Sequence, residues 1–127
     1  MSAAGRTILF VDDDDLILEV AQMSLELVGG WTVSTATCGQ EAVDKAEAEQ
    51  PDAIVMDVMM PGMDGPTASR ALRANPATAA IPIVLLTAKV QASERAEFER
   101  LPVVGVLAKP FDPMALPGEL ATLLGWS

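Results

Sequence analysis

Ala53-Ile54-Val55-Met56-Asp57-Val58-Met59-Met60-Pro61-Gly62-Met63-Asp64-Gly65 is a short apolar run that delivers one carboxylate and then breaks. Ala53 to Met56 is apolar at every position, the pattern of a strand covered on both faces of a parallel sheet. Pro61, Gly62 and the Asp64-Gly65 pair then signal a loop. Asp57 therefore belongs at the carboxyl end of a central strand, where open α/β sheets keep their sites.

Working outward, other apolar runs also end in polar groups. Ile8-Leu9-Phe10-Val11 runs into Asp12-Asp13-Asp14-Asp15, Ile83-Val84-Leu85-Leu86 into Thr87, and Val103-Val104-Gly105-Val106-Leu107-Ala108 into Lys109-Pro110. If these strands are parallel neighbours, Asp12, Asp13, Asp57, Thr87 and Lys109 converge on one edge of the sheet. Three carboxylates brought together resist ionising unless a cation joins them. Oxygen ligands without His or Cys select a hard ion, and Mg²⁺ suits a site of few carboxylates that keeps several waters.

The segments between the strands read as helices. Leu16, Val20, Met23 and Leu27 recur at helical spacing on one face, with Asp14 or Asp15 as the cap and Gly29-Gly30 as the stop. Trp31 to Ala36 alternates and is β-prone, an edge strand. Gly39 to Glu49 carries Ala42, Val43 and Ala46 on one side of a second helix. Pro66 opens a third, closed by Asn75-Pro76. Pro82 sets the start of the fourth strand, Ser93 to Leu101 forms a short charged helix, and Pro117 confines the last helix to a start near Leu116 or Pro117. Five strands alternating with five helices give a doubly wound α/β domain over residues 7–127, preceded by a short tail at 1–6.

Composition narrows the function classes. A chain of 127 residues, half of them apolar, can bury an ordinary single-domain core. A formal net charge of -10 argues against nucleic-acid binding and against docking to an anionic membrane. Cys38 is the single cysteine, so it has no partner for a disulfide. No apolar run approaches the roughly 20 residues of a membrane span, and the amino end lacks a signal-peptide core; a soluble cytoplasmic protein is expected. Asp64 reads as a turn residue of the Asp-Gly pair rather than a ligand.

These residues resemble the receiver domain of two-component response regulators, over nearly the whole chain and closest in scale to single-domain regulators of the chemotaxis type. The resemblance rests on Asp12-Asp13 after the first strand, Asp57 with its Met-Met-Pro-Gly-Met-Asp-Gly loop, Thr87-Ala88 and Lys109-Pro110-Phe111, in this order and at these separations. It implies sheet order 2-1-3-4-5 in a flavodoxin-like, three-layer α/β/α fold. It implies that Asp57 accepts a phosphoryl group from a histidine kinase or histidine phosphotransfer protein, with Thr87 and Lys109 assisting. Mg²⁺ or Mn²⁺ would be held by Asp13, Asp57, Asp12 and the backbone carbonyl of Met59. The Lys109-Pro110 bond would be cis. The fourth helix, fifth strand and last helix would present the contact face for a downstream protein. The resemblance further implies a signalling switch rather than an enzyme acting on other molecules, a monomer or weak homodimer, and no output domain in this chain.

Three positions depart from the family pattern. Val106 stands where many receivers carry Tyr or Phe. Met59 and Lys89 lie two residues beyond Asp57 and Thr87, where the family's hydrolysing water passes. A thioether cannot orient that water, whereas Lys89 can reach the phosphoryl group, so a long-lived phosphoryl form is expected. Two rival readings are a phosphatase of the haloacid-dehalogenase type, which wants a second acid where Met59 stands, and a pseudo-receiver that docks without phosphorylation, which the complete acidic set disfavours. Trp31 and Trp126 are candidate optical reporters if either senses the site.

Overall fold

The computed structural model describes residues 6–88, 96–98 and 100–126. Five strands, β1 (Thr7–Val11), β2 (Thr32–Ala36), β3 (Ala53–Asp57), β4 (Ile83–Thr87) and β5 (Gly105–Ala108), pair in parallel in the order β2-β1-β3-β4-β5. The expected doubly wound sheet and its 2-1-3-4-5 order are therefore present. Helices α1 (Asp15–Leu27), α2 (Gly39–Glu49), α3 (Gly65–Ala74) and a C-terminal helix (Leu116–Leu124) supply the outer layers.

Period-two alternation of the central strands splits the core in two. Leu9, Val11, Ile54 and Met56 pack with Ala42, Ala46, Ala68 and Leu72 of α2 and α3. Ile8, Phe10, Ala53 and Val55 point the other way, toward Leu18, Ala21 and Leu25 of α1 and Leu116 and Leu120 of the C-terminal helix. Both faces of β1 and β3 are thus dry, so the polar groups of these two strands can emerge only at their ends.

Local chemistry fixes the helix boundaries. Asp14, not Asp15, caps α1, its carboxylate accepting from the N–H groups of Leu16 and Ile17 at 2.9 and 3.4 Å. Asp64 caps α3 by accepting from Thr67 N–H at 2.8 Å. Pro117 sits in the first turn of the C-terminal helix, where its missing donor does no harm.

Three expectations need correction. The face of α1 that packs is Leu18, Ala21, Ser24 and Leu25, while Leu16 and Leu27 on the anticipated face are 67% and 79% exposed and Met23 is exposed as well. The buried face holds the small Ala21, and Ser24 can donate its hydroxyl to the Pro113 carbonyl. The fifth strand starts at Gly105, because Val103 N–H turns back to Leu101 O at 2.7 Å. Trp31 precedes β2 instead of opening it. Its buried ring meets Trp126 edge-on at 5.1 Å, and the Arg6 guanidinium lies 4.4 Å from the Trp126 ring. This cluster sits where β1 and β2 begin, the end of the sheet opposite Asp57, which makes both tryptophans poor reporters of the acidic edge. Of the charged helix expected at 93–101, residues 96–98 are helical, and most of the remainder lies outside the described residues.

Candidate functional site

The parallel register carries the strand ends to one level. Val11 pairs with Met56, Asp57 with Leu86, and Thr87 with Ala108. The next residues along β1 and β5 are Asp12 and Lys109, so topology alone delivers both to Asp57. Asp12 is fully buried and Asp57 is 5% exposed, while Asp13 stands in solvent beside them. One carboxylate oxygen from each of the three lies within 4.8 Å of the others. Lys109 Nζ donates to Asp12 Oδ2 at 3.0 Å and to Asp57 Oδ2 at 3.1 Å.

Burial raises the Asp12 carboxyl above its ordinary range, and this outweighs the hydrogen bonds from Asp14 N–H and Lys109 that favour the anion. Burial acts to lower Lys109, but its hydrogen bonds to Asp12 and Asp57 prevail and hold the ammonium above the usual lysine value. Among the described residues, Lys109 thus pairs with two of the three clustered carboxylates. The donor set fits a hard divalent ion: all oxygen, with no histidine in the chain. Oxygens around one Mg²⁺ lie at most about 4.2 Å apart, a spacing close to that of the three carboxylates.

Of the remaining candidate residues, Thr87 ends β4, buried beside the Asp57 level. Met59 is exposed on the loop after β3, its N–H donating to Asp57 Oδ1 at 3.3 Å. Val106 is buried in β5 opposite Leu85. Lys89 lies outside the described residues. Two features escaped the sequence reading. Lys109 bridges Asp12 as well as Asp57, and an apolar cavity of about 380 Å³, lined by Leu16, Ile17, Val20, Ala88, Pro110 and Phe111, opens beside Lys109. Leu16, on the apolar face of α1 that the periodicity picks out, is exposed and lines that cavity.

Among the described residues, no helix is long and apolar enough to cross a membrane. A family model described as the response regulator receiver domain matches residues 8–121. The chain is 37% identical over 120 residues to the alkaline phosphatase synthesis transcriptional regulatory protein PhoP of Bacillus subtilis, covering 94% of this chain and 49% of that protein. It is 38% identical over 117 residues to the response regulator MprA of Mycolicibacterium vanbaalenii, covering 92% and 49%. The chain thus spans about half the length of these curated relatives. Among solved structures it resembles the chemotaxis response regulator CheY4 of Vibrio cholerae, with a TM-score of 0.87 at 32% identity over 94% of this chain and 98% of that one. It also resembles the receiver domain of the sensor histidine kinase PA1611 of Pseudomonas aeruginosa, solved with a magnesium ion coordinated in its active site cleft, with a TM-score of 0.84 at 33% identity over 95% and 98%. With the fold, the strand-end acids and a family match over most of its length in agreement, the chain belongs to the response regulator receiver domain family.

Proposed function

We propose that residues 7–127 act as a phosphoacceptor switch, taking a phosphoryl group onto Asp57 from a histidine kinase or a histidine phosphotransfer protein. The observation that carries this reading is the joint presence of Asp12, Asp13, Asp57 and Lys109 at one level of the sheet edge. A carboxylate oxygen of Asp57 attacks phosphorus, an acyl phosphate bond forms, and the phosphorus–nitrogen bond to the donor breaks, its electron pair staying on the imidazole, which leaves neutral with the proton already on its other ring nitrogen. Asp12, Asp13, Asp57 and the Met59 carbonyl would hold Mg²⁺ or Mn²⁺, which when bound neutralises charge on the transferred oxygens. Lys109, already at Asp57, shifts its ammonium to those same oxygens. The Thr87 hydroxyl then donates to the phosphoryl group and draws its loop inward. Val106 supplies no aromatic ring to relay that movement, so loop displacement alone changes the contacts made with a downstream protein.

The bare apolar face of α1 and the cavity beside Lys109 offer the donor an approach to Asp57. Incubation with a small phosphoramidate and Mg²⁺ is expected to add one phosphoryl mass to the protein and none to Asp57→Asn; label retained by that variant overturns the assignment. Chased in the same experiment, the acyl phosphate is expected to decay more slowly than in Met59→Asn, whose amide can orient water. Equal decay removes the role given to Met59.

A further inference from the structure

The loop from Val58 to Asp64 is held by two glycines that no backbone angle demands. Gly30 and Gly62 adopt positive φ, at 74° and 78°, with open space around them. Gly39 and Gly65 do not; both begin helices, where glycine costs propensity. Their reason is contact. A methyl at Gly39 would lie 2.4 Å from the Met63 carbonyl oxygen and 2.9 Å from Met63 Cβ, and one at Gly65 would lie 2.6 Å from the Asp57 carbonyl oxygen. The loop is also tied by Val58 N–H to Leu86 O at 2.9 Å and by Gly65 N–H to Val58 O at 3.0 Å. Gly39 therefore presses on the far limb of the loop, and the span from Met59 to Gly62 hangs between the two contacts.

We propose that Gly39, at the start of α2 and outside the acidic cluster, is a positioning residue for the metal site. By carrying no side chain it lets α2 seat against Met63 and so fixes the course of the loop whose Met59 N–H reaches Asp57 Oδ1 at 3.3 Å. The inference rests on the phosphoacceptor reading of that cluster. Mg²⁺ demands near-ideal octahedral geometry, so a loop displaced by several tenths of an ångström loses a ligand position.

Titration calorimetry with MgCl₂ tests this. Gly39→Ala is expected to weaken Mg²⁺ binding by roughly tenfold, the scale of lost ligand support, while its phosphorylation rate returns toward wild type at saturating Mg²⁺. Gly29→Ala is the control: its methyl would lie 2.6 Å from Leu25 O at the opposite end of the sheet, so it should lower stability and leave Mg²⁺ affinity unchanged. Should Gly39→Ala fail to fold, Met63→Ala keeps the carbonyl and Cβ that Gly39 faces but strips the side chain that packs this limb of the loop on the core, and is expected to weaken Mg²⁺ severalfold. Unchanged affinity in a folded Gly39→Ala, or in Met63→Ala where that variant carries the test, overturns the proposal, as does equal weakening in Gly29→Ala. A wild-type protein that takes up no Mg²⁺ overturns the site reading itself.

Discussion

The two ends of the sheet are built from the same strands and could hardly be more different. At the carboxyl end, two buried acids and a half-buried lysine face one another, with a third acid in solvent. At the amino end, about 15 Å away by the rise of five strand residues, Trp31 meets Trp126 edge-on, Arg6 lies over the Trp126 ring, and Thr7 N–H is satisfied by the exposed Asp52 carboxylate at 2.7 Å. One end gathers charge that packing alone would expel, and the other closes the core with aromatic surface. The sheet can hold the first because the second, and the apolar layers between, supply stability that the acids do not.

Substitutions at the two ends should separate these roles. The largest effect is expected from Lys109→Ala, which strips the partner from two buried carboxylates. Breaking such a pair costs about 3 kcal/mol, read from urea unfolding without Mg²⁺, and added Mg²⁺ should restore most of it. The same variant sharpens the pH dependence. Lys109 titrates higher folded than unfolded, so its contribution is complete below the ordinary lysine value and is lost as pH rises through the folded one. That alkaline loss should vanish in the variant. Loss of stability that Mg²⁺ leaves untouched would break the comparison from this side.

Trp126→Ala comes next. Removing a half-buried ring that meets both Trp31 and Arg6 should cost about 2 kcal/mol with Mg²⁺ affinity unchanged, and a parallel fall in affinity would mean that the ends are coupled. The smallest effect is expected at Asp64→Ala, about 1 kcal/mol for a lost helix cap. Hydrogen bonds from the Thr67 side chain and N–H hold the Asp64 carboxyl below its usual range. Its stabilisation is therefore present at neutral pH and lost as pH falls through that lowered value, a limb that acid titration of the variant should lack.

The same contrast explains what the sequence could and could not tell. Strands such as Ile54-Val55-Met56 are apolar on both faces, so their burial and the acids at their ends were legible without coordinates. Periodicity failed at α1, because Asp-Leu-Ile-Leu-Glu-Val-Ala-Gln-Met-Ser-Leu-Glu-Leu is apolar most of the way round and offers two stripes at helical spacing. Which one packs depends on how closely the helix must approach the sheet, and Ala21 with Ser24 settles that through size and a hydrogen bond across 89 positions. The aromatic cluster was invisible for a similar reason: Arg6, Trp31 and Trp126 meet only through topology. The Met63 contact with Gly39 left no trace in composition or spacing.

The uncovered stripe of α1 also bears on crowding. Apolar patches of this kind invite a molecule to stick to its own copies. Ten excess negative charges oppose such self-encounters within a screening length of about 8 Å in physiological salt. The stripe can thus stay bare without precipitation, open to a visitor bearing positive charge and guarded against one of the same sign.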